Sequence, residues 1–175
     1  MGLTQEINIV LIGMPGSGKS TVGVILAKMT SRNFIDTDVL IQVSQGRSLQ
    51  TIVDNDGYLV LRQVEEEEIL ALNCKHHVIA TGGSAVYGPK AMEHLKSNGI
   101  IIFIDVDLPT LESRVTDYKS RGLAIPPGQS FAELFEERLK LYKQYADVTI
   151  HATNLSQDQV CKEIIFSLVS LLEEE

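Results

Sequence analysis

The sequence contains few cysteines and no long hydrophobic run, and each shortage excludes a class of protein. Its two cysteines, Cys74 and Cys161, are far apart and form no CxxC pair. This favours a reduced protein with two buried, unreactive thiols over a disulfide-rich scaffold. No apolar run reaches the roughly 18 residues of a membrane span, and the N-terminal residues lack the basic region and cleavage site of a signal peptide. We therefore expect a cytoplasmic protein.

Positive charge is also scarce. The chain has 15 Lys and Arg against 23 Asp and Glu, which gives a formal net charge of −8. General nucleic-acid binding needs a basic face, so we expect neither a nucleic-acid nor a membrane partner. A small anionic ligand stays possible, because charges are screened over about 8 Å and local arginines outweigh distant carboxylates. No histidine or cysteine stands at a zinc-ligand spacing.

Strands and helices alternate along the chain, which is typical of a parallel sheet covered by helices on both faces. We predict a three-layer α/β fold with five strands, in one domain spanning residues 1–175, and we expect a monomer. The first helix should bury Val22, Ile25, Leu26 and Met29, while the acidic run 65–68 should be a solvated helix face. The predicted strands are 7–13, 33–36, 77–83, 99–106 and 147–151, and the predicted helices are 19–30, 39–45, 48–56, 58–74, 110–118, 131–146 and 156–175.

The stretch "GMPGSGKS", residues 13–20, fits the phosphate-binding pattern GxxxxGK[ST] at every fixed position. It also lies between a predicted buried strand and a predicted helix, where its glycines can aim backbone N–H groups at phosphate oxygens. Lys19 should reach the β- and γ-phosphates, and Ser20 should ligate Mg²⁺. The pattern predicts ATP and Mg²⁺ binding in a P-loop NTPase fold like that of nucleoside monophosphate kinases. The nucleotide contacts are expected from Gly13, Gly16, Ser17, Gly18, Lys19, Ser20 and Thr21.

Two aspartates, Asp36 and Asp38, stand two positions apart at the end of the predicted second strand. On a strand they would share one face, and because we expect this strand to lie beside the first, they would stand near the γ-phosphate. One would then hold the metal's water shell, and the other would orient an acceptor hydroxyl and take its proton. The alternative is structural: Asp38 precedes a helix and would cap it. Spacing alone favours the cap.

Several motifs in order make the chain resemble the shikimate kinase family. The opening "GMPGSGKSTVG" is followed by "FIDTDVLI", and "DGYLVLRQVE" is similar to the family segment that ends in FRxxE. "VIATGGSAV" resembles its TGGG strand end, and "ERLKLYKQYAD" resembles its ERxxxY segment. The matches run from about residue 7 to residue 150. The resemblance implies ATP- and Mg²⁺-dependent phosphorylation of the 3-hydroxyl of shikimate, a small-molecule acid.

On the acceptor side, the resemblance implies that Asp38 binds ring hydroxyls and acts as the base. It also implies that Arg62 and Arg138 clamp the carboxylate, and that Gly82 and Gly83 approach the substrate with backbone N–H groups. Two arginines can hold a carboxylate through forked hydrogen bonds, which fixes the hydroxyl that faces the phosphate. For each arginine alone, a surface salt bridge is at least an equally good interpretation, such as Arg62 with Glu65 or Glu66 on its own helix.

On the nucleotide side, the resemblance implies that Asp36 lies by the metal with Ser20, and that Arg114 lies against adenine. It also implies that Arg121 reaches the transferring phosphate from a lid at about residues 117–130. The acceptor-binding helices would span about residues 38–73. Lys19, Asp38 and Arg121 are thus the predicted catalytic residues.

The chain departs from the family pattern only at the acceptor pocket and the lid. Ser84 replaces the third glycine of TGGG, and residues 121–124 read RGLA where the family has RPLL. Val53 and Leu61 stand where the family usually has phenylalanine, and Tyr58 where it usually has glutamate. Smaller walls would enlarge or reshape the pocket. The chain is either a divergent shikimate kinase or a kinase of another hydroxy acid, and we favour the first because the discriminating polar groups are kept.

Three other functions fit parts of the sequence. A nucleoside monophosphate kinase would carry several lid arginines, and this lid has no arginine cluster beyond Arg121. A gluconate-type kinase would also act on a polyol acid, and it would phosphorylate gluconate rather than shikimate. A nucleotide-binding module without turnover would bind ATP and yield no product with any acceptor, but the retained Lys19, Ser20, Asp38 and Arg121 argue against it.

Overall fold

A computed structural model of the chain describes residues 6–115 and 122–173. Its centre is one sheet of five parallel strands, as the alternating pattern predicts. The strands are β1 (Asn8–Ile12), β2 (Asn33–Asp36), β3 (His77–Ala80), β4 (Gly99–Asp105) and β5 (Val148–His151), in the spatial order β2-β3-β1-β4-β5.

Helices cover both faces of this sheet and complete the three-layer α/β fold. The first and last helices pack on each other over one face of the sheet. Two other helices, Pro89–Ser97 and Phe131–Tyr145, pack against β4. The helices are α1 (Lys19–Thr30), α2 (Thr37–Gln45), α3 (Leu49–Asp56), α4 (Tyr58–Leu70), α5 (Pro89–Ser97), α6 (Leu108–Arg114), α7 (Phe131–Tyr145) and α8 (Gln157–Glu173), with a short 3₁₀ helix at Ala85–Tyr87.

The buried apolar side chains form two separate clusters. The larger one is built on the sheet, where every residue of β1 is buried, as expected for a central parallel strand. The smaller one joins the acceptor-side helices and consists of Ile41, Ile52, Leu61, Val64 and Ala124. The helices α2, α3 and α4 are therefore held together by a core of their own beside the sheet.

The neighbour of β2 differs from the prediction. The sequence argument placed β2 beside β1, but β1 pairs with β3 on one side and β4 on the other. No edge of β1 is left, so β2 pairs with β3, in the register Asp36 opposite Ala80. The ends of β2 and β3 consequently form one side of the site.

The strand argument for the two aspartates is also wrong. The chain turns helical at Thr37, so Asp36 ends β2 while Asp38 lies in the first turn of α2. The cap is Asp36 rather than Asp38, because the Asp36 carboxylate accepts a hydrogen bond of 3.0 Å from the backbone N–H of Asp38. The pair is placed by a helix start and not by strand alternation.

Three details of the helices also differ from the predictions. Met29 is 42% exposed, because the buried stripe of α1 runs through Lys19, Val22, Gly23, Leu26 and Ala27. The helix α5 was not predicted, although "GPKAMEHLKS" has Pro89 at the first helical position, a recognised start signal. The helix α4 ends at Leu70, four residues before the predicted end.

The two thiols are free, as expected, but only Cys161 is buried, and Cys74 is partly exposed. Burial raises the pKa of Cys161 to about 11 and also raises the pKa of Cys74, so both favour the unreactive thiol. Within residues 6–115 and 122–173, none of the helices is both long enough and apolar enough to cross a membrane.

Candidate active site

The predicted phosphate-binding loop, residues 13–20, leads from β1 into α1. Gly16 and Gly18 have φ values of 84° and 97°, which L side chains rarely adopt, and a Cβ at Gly16 would collide with Val115. No described side chain caps the start of α1, so its first N–H groups remain available to an anion. We refer to this loop and the start of α1 as the phosphate cradle.

A cleft of about 370 Å³ lies over the cradle. The side chains of Ser20 and Thr21 are exposed there, whereas Ser17 is buried and its hydroxyl has no partner among the described residues. The cleft is lined by Pro15, Gly16, Gly18, Lys19, Ser20, Thr21, Asp38, Thr81, Gly83, Arg114 and Leu123. It therefore brings six of the predicted nucleotide-binding residues together with Asp38 and Gly83 from the acceptor side, whereas Gly13 and Ser17 are not part of its lining.

Lys19 is buried within the cradle. Its Nζ donates to the backbone carbonyls of Gly13 at 2.7 Å and Met14 at 2.9 Å. Burial lowers the pKa of Lys19 to about 8, and Asp38 opposes that change. The two loop carbonyls thus hold the ammonium group of Lys19 at the place where phosphate oxygens would bind.

Asp38 stands between the cradle and the acceptor side. Burial, and then the neighbouring Asp36, raise its pKa to about 6, while Lys19 acts to lower it. The carboxylate is charged at neutral pH and retains a basicity suited to accepting a hydroxyl proton.

The residues predicted to hold Mg²⁺ fit that ion in their chemistry. Ser20, Asp36 and Asp38 line one cleft of about 350 Å³ and present a hydroxyl and carboxylate oxygens. Mg²⁺ bound with a nucleotide takes one or two protein oxygens and keeps its phosphate and water ligands. Among the described residues, no group of three acidic, histidine or cysteine side chains could hold a metal ion by itself, so phosphate and water would have to supply the other ligands.

The loop after β3 is tied to the start of α2. The backbone N–H of Gly82 donates to the hydroxyl of Thr37 at 3.0 Å, so this N–H is already engaged in the structure. A Cβ at Gly82 would lie 2.7 Å from Asp38 Oδ1, and one at Gly83 would lie 2.8 Å from Arg138 Nη1. The two predicted glycines therefore keep space open beside the charged side chains.

Arg62 and Arg138 converge on one point. Arg62 Nη2 and Arg138 Nη2 both donate to the backbone carbonyl of Ala124, at 3.2 Å and 3.0 Å. Arg138 is only 1% exposed, and within the described residues neither arginine has an ion-pair partner. The alternative of a salt bridge between Arg62 and Glu65 is therefore not what the structure has. We call these two side chains the arginine pair.

Glu65 contradicts the expectation of a solvated acidic run, since it is 2% exposed. Its Oε2 accepts a hydrogen bond from Ser84, whereas its Oε1 is buried without a partner among the described residues. Burial and Asp38 raise the pKa of Glu65 to about 7. The helix α4 carries Glu65 inward because Leu61, Val64 and Ile69 form its buried face. Glu65 matches the last residue of the family's FRxxE segment, but its place in a run of four acidic residues predicted an exposed side chain.

Tyr142 was not identified as a site residue from the sequence. It is fully buried on α7, one turn after Arg138, and its hydroxyl donates to the carbonyl of Gly83 at 2.7 Å. Its ring stacks on Phe103 with centroids 5.1 Å apart. The ERxxxY spacing, which puts the tyrosine on the face of the arginine, was the available signal.

The altered walls do not open a large acceptor cavity. Leu61 packs in the smaller cluster with Ala124, and Val53 lies at its edge. The cavity beside Asp38, Glu65 and Arg138 measures about 40 Å³. The segment Gly122–Ala124 fills the space that Val53 and Leu61 were expected to leave. It is held there by the backbone N–H of Gly122, which donates to Gln50 Oε1 at 2.7 Å.

The two remaining arginines, Arg114 and Arg121, are those predicted for the nucleotide side. Arg114 is exposed at the end of α6 and contacts the carbonyl of Gly16 at 3.4 Å, which puts it at the rim of the cradle. Arg121 lies outside the described residues, as does most of the first half of the predicted lid.

A fold of this kind, with a phosphate cradle facing a cavity of buried charges, is that of a P-loop kinase of small molecules. A sequence model described as "Shikimate kinase" matches residues 15–169. The chain belongs to the shikimate kinase family.

Individual relatives agree with this assignment. A shikimate kinase from Sulfurihydrogenibium sp. (strain YO3AOP1) is 35% identical over 159 residues, which cover 90% of this chain and 95% of the relative. A solved shikimate kinase from Acinetobacter baumannii, in complex with shikimate, has a TM-score of 0.87 at 29% identity and covers 96% of this chain and 95% of its own. The structure of the Aquifex aeolicus vf5 shikimate kinase has a TM-score of 0.82 at 35% identity, with 95% and 98% covered.

Proposed function

We propose that this chain is a shikimate kinase that transfers the γ-phosphate of ATP to the 3-hydroxyl of shikimate. The observation that carries the proposal is the arginine pair. Two guanidinium groups, that of the buried Arg138 and that of the partly buried Arg62, have no carboxylate partner in the described structure and converge on one carbonyl oxygen. The cavity beside them contains Asp38, which also borders the phosphate cradle. An acid with a hydroxyl at the far end of a ring would suit these groups once the segment Gly122–Ala124 gives up the space that it fills.

The arginine pair would bind the substrate carboxylate and thereby fix the orientation of the ring. Arginine is suited to this role because its planar fork of donors matches a carboxylate and stays charged. Glycine at positions 82 and 83 would let the ring approach the backbone, because a Cβ at either position would fill that space. Binding at both ends would position one hydroxyl before the phosphate.

Asp38 would accept the proton of that hydroxyl as the phosphate is transferred. Its raised pKa, about 6, leaves it ionised at neutral pH. Lys19 would move from the loop carbonyls to the phosphate oxygens and stabilise the charge that develops there.

Mg²⁺, when bound with ATP, would supply positive charge at the β- and γ-phosphates. Ser20 and Asp36 would hold it, in agreement with the hydroxyl and carboxylate oxygens that line their cleft. The remaining nucleotide contacts would come from the cradle, with Gly13, Gly16, Ser17, Gly18 and Thr21 around the phosphates.

The whole chain would act as one kinase domain. We propose acceptor-binding helices at about residues 38–73 and a lid at about residues 117–130. In this arrangement Arg114 would lie against adenine and Arg121 would reach the transferring phosphate, as the family resemblance implies. A monomer would suffice, since all these residues belong to one chain.

The test is ADP release from Mg-ATP with shikimate, beside gluconate, quinate and no acceptor. We expect turnover that depends on shikimate and stays at background with gluconate. Turnover with another hydroxy acid instead of shikimate would reassign the acceptor and would implicate the altered walls at Val53, Leu61 and Ala124. ATP binding without turnover on any acceptor would favour a non-catalytic module.

A further inference from the structure

The guanidinium of Arg62 lies against aromatic rings, and among the described residues it forms no ion pair, although the carboxylate of Glu137 acts on it electrostatically. Its Cζ lies 3.6 Å from the ring centroid of Tyr87 and 5.0 Å from that of Tyr58. Nη2 donates to Ala124, and Nε is buried without a partner among the described residues. A ring face attracts the cation electrostatically. Unlike a carboxylate, it does not occupy the planar fork of donors.

Tyr87 is itself held in place by a residue of the helix α7. It ends the 3₁₀ helix Ala85–Tyr87, and its hydroxyl donates to the carboxylate of Glu137 on α7. Glu137 also accepts a hydrogen bond of 2.8 Å from Gln129. The hydrogen bond from Tyr87 lowers the pKa of Glu137, and burial raises the pKa of Tyr87, which is consistent with a neutral phenol donating to a charged acid.

The same ring serves both members of the arginine pair. Arg138 follows Glu137 directly in α7, and its Cζ lies 5.4 Å from the Tyr87 centroid. Tyr87 therefore connects the loop after β3, α4 and α7 at the place where the two guanidinium groups meet. An acid at this position would neutralise Arg62 and compete with an incoming carboxylate, whereas a ring does neither.

We propose that Tyr87 is a positioning residue that fixes the guanidinium of Arg62 without occupying its donors, so that the acceptor's carboxylate can replace the carbonyl of Ala124 there. This inference rests on the proposed function, because it assumes an acid as the acceptor. Tyr58 contributes less, since its ring lies farther from the same cation.

The kinetic test compares Tyr87→Leu with the conservative Tyr87→Phe. Tyr87→Leu should raise the KM for shikimate roughly tenfold, in keeping with the loss of a partly desolvated cation–π contact, while kcat and the KM for ATP change less than about twofold. Tyr87→Phe keeps the ring and should recover most of the affinity. Tyr58→Leu should have a smaller effect than Tyr87→Leu. A fall in kcat with unchanged KM for shikimate would overturn the proposal.

A double-mutant cycle with Arg62→Ala separates positioning from general damage. The effect of Tyr87→Leu on acceptor affinity, taken from KM or from calorimetry where turnover is too low, should vanish when Arg62 is absent. Full additivity of the two substitutions would contradict the proposal. Melting temperatures of the single variants check that each is folded.

A third measurement does not depend on the acceptor. In protein labelled with ¹⁵N-arginine, the ring current of Tyr87 should shift the side-chain signal of Arg62 relative to that in Tyr87→Leu. Arg62→Lys identifies the signal. If shikimate gives no turnover but this shift is present, the proposed function fails and the aromatic support of Arg62 stands. Identical signals in both proteins would overturn the support itself.

Discussion

The phosphate cradle and the acceptor side meet at Asp38 but are built differently. The cradle is one continuous loop, residues 13–20, made of backbone groups and anchored between β1 and α1. The acceptor side takes charged side chains from α2, α4 and α7, and it includes buried polar atoms without described partners, namely Glu65 Oε1 and the Nε atoms of Arg62 and Arg138. Local backbone geometry suffices to bind phosphate, whereas orienting a particular acceptor requires charges gathered from distant parts of the chain.

The largest effect should come from the residue that the two regions share. Asp38→Asn removes the proposed base and should lower kcat by about 10²–10⁴-fold. The affinity for ATP should change less than about threefold, because the cradle backbone is untouched. A coupled ADP assay and a nucleotide titration measure the two effects. The exposed Asp54→Asn on α3 is the control, and equal loss of ATP binding and turnover would remove Asp38 from the catalytic role.

A substitution on the acceptor side alone should separate the regions further. In Gly83→Ala the new Cβ would lie 2.8 Å from Arg138 Nη1 and 2.9 Å from Pro15 Cδ. Overpacking of this degree costs about 1–3 kcal/mol, so the KM for the acceptor should rise roughly tenfold or more. Gly88→Ala is a matched control, because its Cβ would meet the mobile end of Glu66 at 3.1 Å. Unchanged acceptor KM in Gly83→Ala would show that this loop does not border the acceptor.

The buried acid on the acceptor side should make stability depend on pH. Burial and Asp38 raise the pKa of Glu65 to about 7, from an ordinary value of 4.5. Between these values the native state keeps a proton that the unfolded chain has lost, so the free energy of unfolding falls as pH rises. Glu65→Gln should make this fall smaller by about 1–3 kcal/mol.

Urea unfolding at a series of pH values measures that difference. The exposed Glu67→Gln on the same helix should leave the pH dependence as it is in the natural sequence. The pKa of Asp38 is also raised, so in both variants the free energy of unfolding should still fall somewhat as pH rises. A Glu65→Gln profile parallel to that of the natural sequence would contradict the buried, proton-retaining state.

The smallest effect should come from Ser84, where the family pattern has glycine. Ser84→Ala removes the hydrogen bond to Glu65, which should lower the free energy of unfolding by about 1 kcal/mol. Because that bond lowers the pKa of Glu65, its loss should raise the pKa further. Denaturant unfolding and the pH profile are the measurements, with the exposed Ser113→Ala as control. No change in either would mean that Ser84 does not hold Glu65.

The sequence predicts the cradle and the parallel sheet well because both depend on local patterns. The loop motif occupies eight consecutive residues, and α1 begins and ends where the sequence predicts. The order of strands is not local, and for that reason β2 was placed beside the wrong neighbour. The start of α2 was also missed, because two aspartates in an apolar run fit a strand end as well as a helix cap.

On the acceptor side, the sequence predicts candidate charged residues but not the contacts that they make. Arg62 and Arg138 come from motifs 76 residues apart in the chain, and nothing in either motif indicates that they share a carbonyl. Glu65 looks like a surface acid in a run of four, and only the packing of α4 shows that it is buried. Tyr87 lies outside the recognised motifs altogether.

The carbonyl of Ala124 has a consequence for the thermodynamics of acceptor binding. Two guanidinium groups already donate to it, and the adjoining cavity of about 40 Å³ has room for little more than a water molecule. A carboxylate that binds the arginine pair must take over hydrogen bonds that the protein already makes, and the segment Gly122–Ala124 must give up its place. Binding is then an exchange of partners, and its measured enthalpy will be smaller than the number of new hydrogen bonds suggests.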